Sequence, residues 1–147
     1  MKKLFILLFG MFLFFNTMTA QSIGCNLAML DTDKYLTDGD LLSKRYSNIL
    51  HQLTLKYIES DERICDISVV GKRLLNEAGI DESMINIMEG ILKLRDLKTK
   101  TKQYSENVSI YVAARQNGNS HYEALSKLQD LLSQVSMETI VKMSTGK

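Results

Sequence analysis

The stretch Ile80-Asp-Glu-Ser-Met-Ile-Asn-Ile-Met-Glu-Gly-Ile-Leu-Lys-Leu94 decides the fold of this chain. Asp81 is placed to cap the start of a helix, and Ile80 and Ile85 are spaced to pack across that start as a hydrophobic staple. The apolar residues that follow cover a wide surface rather than one narrow stripe, which indicates a central, largely buried helix. They are Met84, Ile85, Ile87, Met88, Ile91, Leu92 and Leu94.

Helical patterns flank this stretch on both sides. Apolar residues recur at three- and four-residue spacing over 37–59, 60–79, 108–117 and 120–141. Ser60 or Asp61 is placed to begin the second pattern and Gly79 to end it, while Ser120 and Glu123 form a capping box at the last one. The polar stretch 98–104 is compatible with either a loop or an exposed helix.

No segment alternates apolar and polar residues as a strand would, and the chain contains no proline. We therefore predict an all-α fold: a four- or five-helix bundle over 37–147, following a signal peptide. Residues 21–36 form an N-terminal segment in which Ile23, Leu27, Met29 and Leu30 allow a short helix.

The N-terminus has the pattern of a secretory signal peptide. Lys2 and Lys3 precede an apolar run over 4–15, and cleavage is expected near Ala20. About 12 apolar residues are too few for a spanning helix, which needs roughly 20. We expect a secreted or periplasmic protein, with 1–20 removed. The alternative is a lipoprotein: residues 22–25 resemble a degenerate lipid-attachment motif, and lipid on Cys25 would bring the protein to a membrane.

Cys25 and Cys65 are the two cysteines of the chain. In an exported protein an even pair is most simply one disulfide. This bridge would close a loop of about 40 residues and contribute roughly 4 kcal/mol to stability. Alternatively, Cys65 is a small core residue and Cys25 is free or lipidated.

Catalytic and metal-binding patterns are weak. His51 and His121 are the only histidines, and a zinc site needs three or four ligands at close spacing. The acidic cluster that begins at Asp31 does not continue with the ligands of a calcium loop. The acids between Glu59 and Asp66 fit the first turn of a helix, where the helix dipole favours negative charge. We therefore predict no metal, no cofactor and no catalytic residue.

Charge narrows the class of partner. Removing Lys2 and Lys3 from the 18 basic residues leaves 16 against 17 acidic residues, a net charge of about −1. Such a balance argues against nucleic-acid binding. One basic stretch stands out as a possible contact for an anionic surface, although a solvated helix face explains it too. It contains Lys93, Arg95, Lys98, Lys100 and Lys102.

Together these patterns favour a small exported helical protein that acts by binding another protein, in an inhibitor or immunity-like role, without catalysis. Two alternatives remain. One is an envelope-surface binding protein that uses the basic stretch 93–102, and the other is a small hydrolase with an unrecognised carboxylate site.

Overall fold

The computed structural model describes residues 21–94 and 103–145, with side chains up to Gln134. Within these ranges the chain forms six α-helices and no strand. They are α1 (Ile23–Thr32), α2 (Leu41–Lys56), α3 (Asp61–Glu77), α4 (Met84–Leu92), α5 (Tyr104–Gln116) and α6 (His121–Thr145). The predicted helical bundle is confirmed, and the N-terminal segment does contain a short helix.

Helix α4 lies at the centre of the bundle, as its wide apolar surface predicted. It packs against α2, α3 and α5. Among the other helix pairs, α1 packs on α2, α3 packs on α5, and α5 packs on α6. In α4, the side chains of Ile87, Met88 and Ile91 are fully buried. Among the described residues, no helix combines the length and the apolarity that crossing a bilayer requires.

Most of the predicted helix ends are confirmed. The Ser60 hydroxyl accepts a hydrogen bond from the backbone N–H of Arg63 and caps α3. Gly79 follows α3 with a φ of 74°, a conformation that costs glycine little. At α6, the Ser120 N–H donates to Glu123 Oε2 at 2.7 Å, and the Glu123 N–H donates to Ser120 Oγ at 3.3 Å. This exchange is the predicted capping box.

The predicted start of α4 is wrong by two residues. Ser83, not Asp81, is the N-cap, and its hydroxyl accepts from the N–H of Asn86 at 3.3 Å. The reason is that Ile80 is still hydrogen-bonded to the end of α3: its N–H donates to the Leu75 carbonyl at 2.9 Å. Residues 81–83 are needed to turn the chain before α4 begins.

Three helix ends are capped by side chains from other elements. Glu59 accepts hydrogen bonds from the N–H groups of Tyr104 and Ser105, the first residues of α5, at 2.9 and 3.0 Å. Lys56 Nζ donates to the carbonyls of Leu92 and Leu94 at the end of α4, at 2.8 and 2.6 Å. The charges match the helix dipole: an anion lies at a start and a cation at an end.

Asp31 forms the third of these caps and joins four helices. Its Oδ1 accepts from the Met84 N–H at 2.8 Å and from Lys72 Nζ at 2.6 Å, while Oδ2 accepts from the Tyr46 hydroxyl at 2.5 Å. The Asp31 side chain is only 3% exposed. Burial would raise the pKa of this carboxyl, but the hydrogen bonds from Lys72, Tyr46 and Met84 outweigh it and lower the pKa.

Candidate functional site

A buried polar cluster lies where α4, α5 and α6 meet. Its centre is Glu82, whose side chain is 8% exposed. Glu82 Oε2 lies 3.2 Å from Arg115 Nη2, 3.3 Å from the Tyr111 hydroxyl and 3.4 Å from His121 Nδ1. The other oxygen, Oε1, accepts from Asn86 Nδ2 at 3.0 Å. One carboxylate therefore holds together groups from three helices.

Local structure explains why these residues meet. Tyr111 and Arg115 are four residues apart and so share one face of α5. The capping box fixes the first turn of α6, which places His121 Nδ1 2.8 Å from the Tyr111 hydroxyl. Gly90 lets α4 and α6 approach each other here, because a Cβ at that position would lie 2.7 Å from Leu125 Cδ1 and 3.3 Å from His121 Cε1.

The charges of the cluster are paired in a way that holds its side chains in place. Burial and the neighbouring Glu82 carboxylate raise the pKa of Tyr111, so the phenol stays protonated. Arg115 also donates from Nη1 to the Asn119 carbonyl at 2.8 Å. Paired in this way, the carboxylate and the guanidinium offset each other's cost of burial.

Sequence reasoning missed this cluster. The His121 side chain is 23% exposed and has two partners, the Tyr111 hydroxyl and the Glu82 carboxylate. Glu82 lies 29 residues before Tyr111 and 33 before Arg115, so no local pattern links them. The only signal in the sequence was the i, i+4 spacing of Tyr111 and Arg115.

An open groove of about 410 Å³ lies on the other side of α5, between α5 and α3. Its lining combines apolar side chains with several polar ones. The α3 side contributes Arg63, Asp66, Ile67, Val70, Gly71 and Leu74, and the α5 side Ser105, Val108, Ser109, Val112, Ala113 and Gln116.

The groove is apolar surface that the described part of the chain leaves partly exposed. Val70 is 42% exposed and Leu74 37% exposed. Gly71 brings α3 close to α5, since a Cβ there would lie 2.8 Å from Val108 Cγ1. Two helices in such close contact form a shallow groove along their length. Exposed apolar side chains that are grouped along one groove make it a candidate site of interaction.

Both cysteines are buried, free thiols, so the predicted disulfide is not formed in this structure. Cys25 Sγ donates instead to the Leu36 carbonyl at 3.4 Å. Burial, together with the nearby Asp61, Asp66 and Glu62 carboxylates, raises the pKa of Cys65 to about 12. Cys65 is therefore a small core residue, as the alternative interpretation proposed, and Cys25 is buried in the core as well.

The basic stretch is described only at its first residue. Lys93 is exposed, and its ammonium lies 4.0 Å from Glu89 Oε2. Arg95, Lys98, Lys100 and Lys102 lie outside the described residues, as does the predicted signal peptide, 1–20.

The other candidate residues are not brought together. His51 is exposed on α2. Glu59 caps α5. Across the two described ranges, no three histidine, cysteine or acidic residues lie close enough to hold a metal ion.

The fold and the site define an all-helical bundle with an internal polar cluster and an open apolar groove. The chain belongs to the MoxZ family, whose model matches residues 36–132. That match includes the groove and the polar cluster, whereas α1 precedes it and the last residues of α6 follow it. Comparison with curated proteins and with solved structures finds no match.

Proposed function

We propose that this MoxZ-family chain is an exported, non-catalytic protein that works by binding a protein partner through the groove between α3 and α5. The exposed apolar surface of that groove carries the proposal. A secreted or periplasmic inhibitor or immunity-like role fits a small bundle of this kind.

The shape of the groove suits a helix. A crease between two packed helices accepts the apolar stripe of a third, with anchors spaced three or four residues apart. Ser109 and Ala113 keep the α5 wall low because their side chains are small, and Val70 and Leu74 supply apolar contact from α3. Burial of these two exposed side chains would be the main source of affinity.

The polar cluster has a supporting role in this proposal. Glu82, Arg115 and His121 fix α5 relative to α4 and α6, so the α5 wall of the groove is held in place before a partner arrives. A preformed surface loses less entropy on binding than one that must be ordered.

Photo-crosslinking in the producing cells tests the proposal. A photoreactive amino acid replaces Leu74 in the groove, and the matched control replaces Leu41, which is 86% exposed and outside the groove. We expect one adduct of defined mass at the groove position, abolished by Val70→Asp and absent from the control. Equal labelling at both positions, or an adduct that survives Val70→Asp, would overturn the proposal.

A further inference from the structure

The exposed face of α3 carries one basic and one acidic residue on each side of Val70. From the start of the helix it presents Arg63, Asp66, Val70, Arg73 and Glu77, all of them exposed. Arg63 and Glu77 each lie seven residues from Val70, and Asp66 and Arg73 lie four and three residues from it. At about 1.5 Å per residue, the outer charges are roughly 10 Å from Val70 on either side.

If a second copy of α3 runs antiparallel to the first, each of these charges faces a residue of opposite charge. When two copies of α3 run antiparallel and cross at Val70, Arg63 of one copy faces Glu77 of the other. Asp66 of one likewise faces Arg73 of the other. A two-fold axis repeats every contact, so these four residues offer four attractive charge pairs between the copies. Within one copy, Arg73 Nε lies 3.7 Å from Glu77 Oε1, and the contact between copies would add a partner to each of these two charges.

We propose that the partner in the groove is a second copy of this chain, bound through antiparallel α3 helices about a two-fold axis at Val70. This inference rests on the proposed function and names its partner. The α3 helix of each copy lies in the groove between α3 and α5 of the other copy. There Leu74 and Val70 become covered, and the small side chains of Ser109 and Ala113 leave room for the incoming helix.

Complementary variants test the arrangement. In Arg63→Glu alone, two acidic pairs face each other across the axis, and in Glu77→Lys alone, two basic pairs do. Mixed together, the two variants restore opposite charges at both contacts. We expect each variant alone to dimerise roughly tenfold more weakly than the wild-type chain. The mixture should recover wild-type affinity, as measured by sedimentation velocity on the protein as purified from its producing cells.

Disulfide trapping tests the position of the axis. A residue on a two-fold axis meets its own copy, so Val70→Cys should form a covalent dimer under mild oxidation. Leu41→Cys lies at a position more exposed to oxidant than Val70, 86% against 42%. It should nevertheless stay monomeric, and Cys25 and Cys65 are buried in the wild-type chain.

The outcomes separate this inference from the proposed function. A wild-type chain that sediments as a monomer at about 100 µM, roughly a hundred times a micromolar Kd, overturns self-association. So does a mixture of variants that associates no better than either alone. If the groove adduct then has the mass of a different protein, the proposed function stands without this inference. If no groove adduct forms, both are wrong.

Discussion

Replacing Asp31 by Asn should destabilise the fold far more than a surface charge would. Removing one partner of a buried ion pair costs about 3–5 kcal/mol. Lys72 is 20% exposed and keeps its 2.8 Å bond to the Asp31 carbonyl, so we place the cost just below this range, at about 2.5 kcal/mol. With a urea dependence of about 1.5 kcal/mol per molar, the unfolding midpoint falls by roughly 1.7 M.

The pH dependence of this loss gives a second signature. Because the folded-state pKa of Asp31 lies below its ordinary value of 3.8, its contribution is complete above the unfolded pKa. It is lost as the pH falls through the lowered folded value. The difference between the wild-type chain and Asp31→Asn should therefore be constant from pH 8 to about pH 5 and shrink below about pH 4.

The assay is urea unfolding followed by circular dichroism, with Lys72→Met and the double variant as controls. The two single losses should sum to more than the loss in the double variant, because each single change leaves a buried charge without its partner. A midpoint shift below about 0.3 M, or losses that simply add, would refute the reasoning. Asp31 precedes the family-matched region, so the result also measures how firmly α1 belongs to the bundle.

Three further predictions follow from the packing. Glu82→Gln leaves the buried guanidinium without a counter-charge and should lower the melting temperature by roughly 5–10 °C in a calorimetric scan. Gly71→Ala should cost about 1–3 kcal/mol in urea unfolding because the new Cβ meets Val108, and Val108→Ala should restore most of it; an additive double variant would contradict the contact. Cys25 and Cys65 should resist a thiol reagent at pH 8 in the folded protein, and both should react in urea without reductant. Thiols that stay unreactive in urea until reductant is added would instead show the disulfide.

The sequence was sufficient to predict most of the helices because several of their ends are encoded locally. Ser60, Gly79 and the Ser120–Glu123 pair act on backbone groups within four residues, so their effect can be recognised without knowing the fold. The exception was Asp81, which has the right residue type but lies where the chain is still tied to the end of α3.

The groove and the polar cluster were beyond such reasoning. Val70 and Leu74 belong to an apolar stripe that predicts burial, and only the packing of α3 on α5 shows that part of this stripe stays exposed. Glu82 follows another acid near a helix start, where acids are common, so nothing local marks it as the centre of a cluster. Partners that are 29 or more residues apart come together only when the topology is known.

The capping of α4 from outside has a consequence for how the molecule opens. With nine residues, α4 is too short to be stable alone, since isolated helices below about 12–15 residues are marginal in water. Asp31 holds its first turn and Lys56 its last carbonyls, so the ends cannot fray while α1 and α2 stay in place. Amide hydrogens along α4 should then exchange with solvent as slowly as the most protected amides of the protein. The shortest of the described helices should thus open only in the same cooperative event that unfolds the rest.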